Sequence, residues 1–312
     1  MNNPIEFYVQ QKAELEKEAS SLKKKLINLG IFRFAVFLGI AFLIYLTFGA
    51  YPDVFLIAFL GIAFFTFLVL KFIKLKREKE LIDAKIKINS IEIKVLNRDF
   101  HQLETGEKFI NPLHFYSNDI DLFGKGSFFQ YLNRTATKDG KNLLANTLTE
   151  NKTTAILEKQ NALKELSDKA IWRQHFSALA SLVSVKITTK SIVSWISNYT
   201  SVFPTYLAKI QIVFSLISVI LIVLISFGII PFAILIIWFF VGLFITGSFI
   251  KKTSHLYSET DKVRETFKQY HQLLNEIENE EFTSKILKEK QEIIKSESKK
   301  ASVIFKEFSK IL

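Results

Sequence analysis

From Ile210 to Ile250 the chain contains no Asp, Glu, Lys or Arg. One crossing of a bilayer's hydrocarbon core takes about 20 apolar residues. A run bounded only by Lys209 and Lys251 is therefore long enough to cross twice. A core helix of a soluble protein keeps a polar stripe on its wet side, whereas Ile217 and Val219 to Ile225 are apolar all round. Gly228 and Pro231 interrupt the run at its midpoint, where one destabilises a helix and the other is tolerated only near a helix start. The expected element is a helical hairpin, with arms at Lys209 to Phe227 and Pro231 to Ile250.

A second uncharged pair precedes it. Phe34 to Pro52 and Val54 to Leu70 are separated by Asp53, and Gly49 and Pro52 mark the turn. Four spans in two hairpins follow. Basic residues crowd one end of each pair: Lys23, Lys24, Lys25 and Arg33 before the first, Lys71, Lys74, Lys76, Arg77 and Lys79 after it, and Lys209, Lys251 and Lys252 around the second. Neither turn carries Lys or Arg. The positive-inside rule then puts both termini and the middle of the chain in the cytoplasm, on a multi-pass inner-membrane protein. The net charge of +11 is thus concentrated partly beside the spans. No ionisable residue lies within a span except at its ends, which argues against a transporter or channel. The absence of Cys excludes disulfides, a thiolate nucleophile and Cys-ligated metal.

The remainder reads as helix. Residues 1–30 form a charged amphipathic segment too long for the leader of a secretory signal. Lys74 to Phe100 carries Leu81, Ala84, Ile88, Ile91 and Val95 on one side and predicts a stalk continuing out of the membrane. His101 to Pro112 reads as a loop. Thr153 to Ala180 predicts a helical segment with Ile156, Leu157, Leu163, Leu166, Trp172 and Phe176 as core, and Leu182 to Tyr206 a further one. Val263, Phe267, Tyr270, Leu274 and Ile277 recur at alternating 4 and 3 spacing. This stripe is too short for an independent coiled coil and suits an antiparallel partner such as the stalk, or a homodimer. A helix from Phe282, with Thr283 or Ser284 at its cap, and a last amphipathic helix through Phe305 and Phe308 complete the pattern.

The most informative soluble stretch runs from His114 to Leu148. A turn at Ser117 to Asp119 leads to a short apolar helix over Phe128 to Leu132. After a break at Asn133 to Thr137, a helix with Leu143, Leu144 and Leu148 on one face begins near Lys138, capped by Thr137 or Asp139. These positions, Ser127, Leu132, Asn133, Arg134, Thr135, Thr137, Gly140, Leu143 and Leu144, followed by Lys159, Gln160, Asn161, Ala162, Leu163 and Leu166, form a pattern that resembles the core domain of the DNA mismatch-repair MutS family. The likeness covers about fifty residues and is greatest to the membrane-bound MutS-related proteins of bacteria.

The resemblance implies a helical core that joins a DNA-clamping part to an ABC-type ATPase domain. It places that domain, and the ATP and Mg it would use, beyond residue 312. It also implies a mainly architectural role for Ser127, Leu132, Arg134, Thr135, Thr137, Gly140, Leu143, Leu144, Gln160 and Ala162. The family's mismatch-reading Phe-x-Glu is absent, since Glu6-Phe7-Tyr8 has the wrong order.

No catalytic constellation appears. A P-loop requires G-x-x-x-x-G-K-[ST], and Gly124-Lys125-Gly126-Ser127 and Gly140-Lys141-Asn142 only echo it. The five histidines show no ligand spacing, and Asp119 and Asp121 suit turns and caps. The expected fold is all-α: an N-terminal helix over 1–30, hairpins over 31–73 and 208–250, a cytoplasmic helical body resembling the MutS core over 74–207, and a C-terminal segment over 251–312 packing on the stalk. The expected function is a membrane-anchored MutS-like core module with duplex DNA, a lipid bilayer and a separate ATPase domain as partners. The alternative is a membrane scaffold that binds a protein and has no nucleic-acid role.

Overall fold

A computed structural model describes residues 3–47, 51–182, 194, 206–231, 233–295 and 300–311. Among the described residues there is no strand: the chain is all-helical. Three of the described helices are long and apolar enough to cross a membrane, over Pro4–Leu46, Val54–Leu96 and Ala233–Lys251, and Ile210–Ser226 is a shorter apolar helix of the same character. The chain divides into two compact units, Met1–Ser184 with Gln272–Ser302, and Val185–His271 with Val303–Leu312.

In the first unit, α1 (Pro4–Leu46) and α2 (Tyr51–Leu96) form one long antiparallel hairpin. The amphipathic N-terminal segment and the first apolar span are thus a single helix. Its start is set by Asn3, whose side chain accepts from the backbone N–H of Ile5, with Pro4 in the first turn where its missing donor costs nothing. Its end is marked by Thr47, whose hydroxyl turns back to the Leu43 carbonyl. The turn is earlier than expected: Pro52 and Asp53 already lie inside α2, where a proline fits a first helical turn. Gly49 lies outside the described residues.

Phe37 faces Phe65, Ile40 packs on Gly61, and Ala19, Leu22 and Ile82 bury one another near the other end, so the pairing is continuous along both helices. The stalk is the direct continuation of the second span and stops at Leu96. Arg98 there adopts a left-handed conformation (φ 65°), and the Asp99 N–H returns to the Lys94 carbonyl.

The connection from Asn97 onward contains a 3-10 turn at Glu107–Phe109, then α3 (Phe128–Leu132), α4 (Lys138–Thr149), α5 (Ile156–Asp168) and α6 (Ala170–Leu182). The single helical segment expected from Thr153 is two helices broken at Lys169, whose ammonium reaches Glu280 Oε1 at 2.5 Å and the Glu281 carbonyl at 2.8 Å. Helix α6 lies against the charged, C-terminal half of α2, joined by a buried reciprocal amide pair. Asn89 Nδ2 donates to Gln174 Oε1 at 3.2 Å, and Gln174 Nε2 donates to Asn89 Oδ1 at 3.0 Å.

In the second unit, α7 (Tyr206–Ser226) ends at a turn in which Gly228 takes φ 71°, a conformation other residues resist, and α8 (Ala233–Asn279) follows. The two arms are pinned by Trp238, whose ring stacks on Phe214 at 4.5 Å and whose Nε1–H donates to Ser218 Oγ at 2.8 Å. Gly242 lets the Phe214 ring approach. Farther along α8, Phe267 and Tyr270 contact Phe305 of α10 (Ala301–Ile311). The segment expected over Leu182 to Tyr206 lies almost wholly outside the described residues.

The stretch Gln272–Ser302 belongs to the first unit and packs on α5 and α6. Trp172 meets Phe282 edge to face, and His175 lies 3.5 Å from Glu276. Helix α9 (Lys285–Lys295) is capped from outside its own sequence: the Glu165 carboxylate accepts from the Thr283 and Ser284 N–H groups at 2.7 Å each. Glu278 does the same for α10, accepting from the Ser302 N–H and hydroxyl.

Candidate functional site

Short helices cannot hold themselves in register, so the stretch Ser127 to Gly140 depends on side chains that bind backbone. Ser127 Oγ accepts from the Gln130 N–H and caps α3, and Thr137 Oγ1 accepts from the Gly140 N–H and caps α4, so Thr137 rather than Asp139 is the cap. Between the caps, the Asn133 side-chain oxygen accepts from both the N–H and the hydroxyl of Thr135.

Arg134 joins this break to the stalk. Its Nε donates to Glu92 Oε1 at 2.8 Å, and Nη1 donates to the carbonyls of Tyr131 and Asn133, both at 2.9 Å. One guanidinium thus satisfies the end of α3 while fixing it to α2, with Arg134 and Glu92 both largely covered. A lysine, a point charge, could not make these bonds in a fixed plane.

Gln130 completes the joint. It is fully buried, accepts from the Gly126 N–H, and donates to the carbonyls of His101 and Leu103. Gly124 donates its own N–H to the Thr105 carbonyl, so the amides of both glycines in the phosphate-loop echo are used inside the fold. His114 and Tyr116 serve the far end of α4: His114 Nε2–H donates to the Thr149 carbonyl and the Tyr116 hydroxyl to the Leu148 carbonyl.

Beside the joint lies a cleft of about 780 Å³ between the N-terminal turns of α1, the stalk and α6. Its walls mix cations (Lys87, Arg134, Arg173) with anions (Glu80, Asp83, Glu92), so neither charge sign is selected. Burial and the Glu92 charge push the Tyr8 hydroxyl up against the opposing pull of Arg173 and Arg134. Among the described residues there is no group of His, Asp and Glu able to hold a metal.

The ten motif positions separate. Ser127, Arg134, Thr135, Thr137 and Gly140 sit in the joint, and Leu132 closes α3 with its side chain partly in solvent. Leu144 is half-buried on α4. Leu143 beside it is 67 % exposed. Ala162 is buried on α5, which packs on α6 and α9, and Gln160 is exposed. Three expected core residues are corrected: Leu157 and Leu163 are 72 % and 67 % exposed and Ile156 is also exposed, because no element of the described chain covers that face of α5.

Sequence reasoning missed Glu92, Gln130, Asn89 and Gln174. The only local signal was an amide inside the apolar run Phe128 to Leu132. The partners lie 27 or more residues away along the chain. Compared with known protein families, curated proteins and solved structures, the chain matches none.

Proposed function

We propose that the chain is the membrane-anchored helical core of a MutS-like protein, linking duplex-DNA binding to an ATPase domain that the resemblance places beyond residue 312. ATP and Mg belong to that domain, and the ten motif residues are architectural. In this reading both termini and the helical body are cytoplasmic and the apolar helices cross the inner membrane.

The observation that supports it is the division of labour on the motif helices. Ser127, Thr137 and Arg134 are spent on caps and on the Arg134–Glu92 link, while Leu143, Leu157 and Leu163 turn apolar side chains outward. A body finished by itself would cover such leucines, since burying one contributes about 2 kcal/mol. A core that transmits motion to a docked domain needs a stiff joint and an open apolar face.

The test is binding of a labelled duplex by the detergent-solubilised chain across a salt series. MutS-like coupling predicts binding whose log affinity falls linearly with log salt as counterions are released. The same exposed leucines favour a second reading, a membrane scaffold that docks a protein and not DNA. Absence of duplex binding at low salt selects it.

A further inference from the structure

We infer that the cytoplasmic end of the α1–α2 hairpin is a binding site for anionic phospholipid headgroups, with Arg33 as its centre. Where the two apolar arms end, the Arg33 guanidinium lies over the Phe72 ring at 4.5 Å and near Phe65 at 6.0 Å. Its Nε is buried without a hydrogen-bond partner. A guanidinium within reach of two aromatic rings, with one nitrogen buried, is only partly solvated, a state in which a phosphate bound by its remaining donors gains most.

The surroundings supply the rest of the charge. Lys23, Lys24 and Lys25 on α1 and Lys71, Lys74 and Arg77 on α2 are exposed, and none has an ion-pair partner among the described residues. The antiparallel register brings them together: Arg33 lies against Phe72, while Ala19 and Leu22 lie against Ile82, so Lys23, Lys24, Lys25, Lys74 and Arg77 occupy the stretch between these contacts and Lys71 adjoins Phe72. At 1.5 Å per residue that stretch lies within about 15 Å of the Arg33 level, the depth of a headgroup layer and the water next to it.

Apolar side chains decide between lipid and nucleic acid as the source of the phosphate. Ile31, Phe32 and Phe34 flank Arg33 and are 65 %, 50 % and 64 % exposed. A duplex backbone offers them nothing, whereas acyl chains below a headgroup do. This site depends on the hairpin entering a bilayer and not on any MutS-like role, so it stands or falls separately from duplex binding.

Native mass spectrometry of the full chain, released from mixed detergent micelles with equal phosphatidylglycerol and phosphatidylcholine, reads the preference directly. Phosphatidylglycerol should be retained preferentially. Replacing Arg33 with Gln, or neutralising Lys23, Lys24 and Lys25 to Gln, should lower that preference by about five-fold per side chain, as expected for basic residues at an anionic surface. Inorganic phosphate should not displace the lipid. Equal retention of the two lipids by the wild-type chain overturns the proposal even if a variant fails to fold. So does a preference unchanged in the variants, or displacement by inorganic phosphate or by a DNA duplex.

Discussion

The α1–α2 hairpin and the Ser127 to Gly140 joint occupy the same unit and are held together by opposite means. The hairpin is two uninterrupted helices whose backbone bonds are all internal and whose side chains meet through apolar contacts such as Phe37 with Phe65. The joint has little regular structure and is held by polar side chains that reach far along the chain, Gln130 to the carbonyls of His101 and Leu103, Arg134 to the Glu92 carboxylate. Lipid tolerates only the first kind of construction, because it offers no partner to a loose N–H or C=O. Water permits the second, and the second can be keyed to a particular neighbour.

The largest test of that contrast is Gln130→Leu. It leaves the Gly126 N–H and the carbonyls of His101 and Leu103 without their buried partner, at about 1–3 kcal/mol for each group so stranded. A loss of about 3 kcal/mol or more by denaturant unfolding is expected, with the hairpin helicity retained in far-UV circular dichroism. Arg134→Met strands Glu92 and two carbonyls, but the pair is partly wet, so about 1–2 kcal/mol is expected. If Arg134→Met instead leaves stability unchanged, the joint is not what ties α3 to the stalk. In the apolar hairpin of the second unit, Trp238→Phe deletes the bond to Ser218 and keeps the ring stack. A loss of about 0.6–1.7 kcal/mol is expected from thermal unfolding in detergent, the range for hydrogen bonds between membrane helices.

The smallest effects come from pH. Partial burial works to raise the Glu165 carboxyl, and the N–H groups of Ser284 and Thr283 outweigh it and hold it at about 2. The ordinary value of a glutamate carboxyl is 4.5. The capping stability is therefore complete above about pH 4.5 and is lost as pH falls toward 2, and Glu165→Gln should flatten the profile in that window. Burial, aided by Lys85, pushes His175 below its ordinary 6.5 in spite of Glu276. Its contribution is thus full above 6.5 and declines below it, and His175→Gln should remove that shallower slope.

The same contrast explains what could be read from residues alone. Ile210 to Ile250 announced its hairpin because lipid writes itself into composition, and the turn at Gly228 followed from one glycine and one proline. The cap at Thr137 was legible, with Asp139 as its rival, because a cap and the N–H that donates to it sit three residues apart. The Glu165 cap on α9 was not, because its partners are 118 and 119 residues away and any carboxylate would have looked as suitable. The position of the first turn was misjudged for a related reason: Pro52 and Asp53 are turn formers and also good first-turn helix residues, and only the end of α1 at Leu46 decides between them. Leu157 and Leu163 were expected to be core because helical period identifies an apolar face and says nothing of whether this chain supplies its cover.

The membrane reading is most directly tested by single-cysteine labelling in intact cells, which the absence of native Cys makes clean. Cysteines at Asp53 and Ile229, in the two hairpin ends, and at Lys125, in the helical body, would be exposed to a membrane-impermeant maleimide. The proposed topology predicts labelling at Asp53→Cys and Ile229→Cys before lysis and at Lys125→Cys only after it. Labelling of Lys125→Cys from outside, or protection of both hairpin ends until the cells are broken, would contradict it.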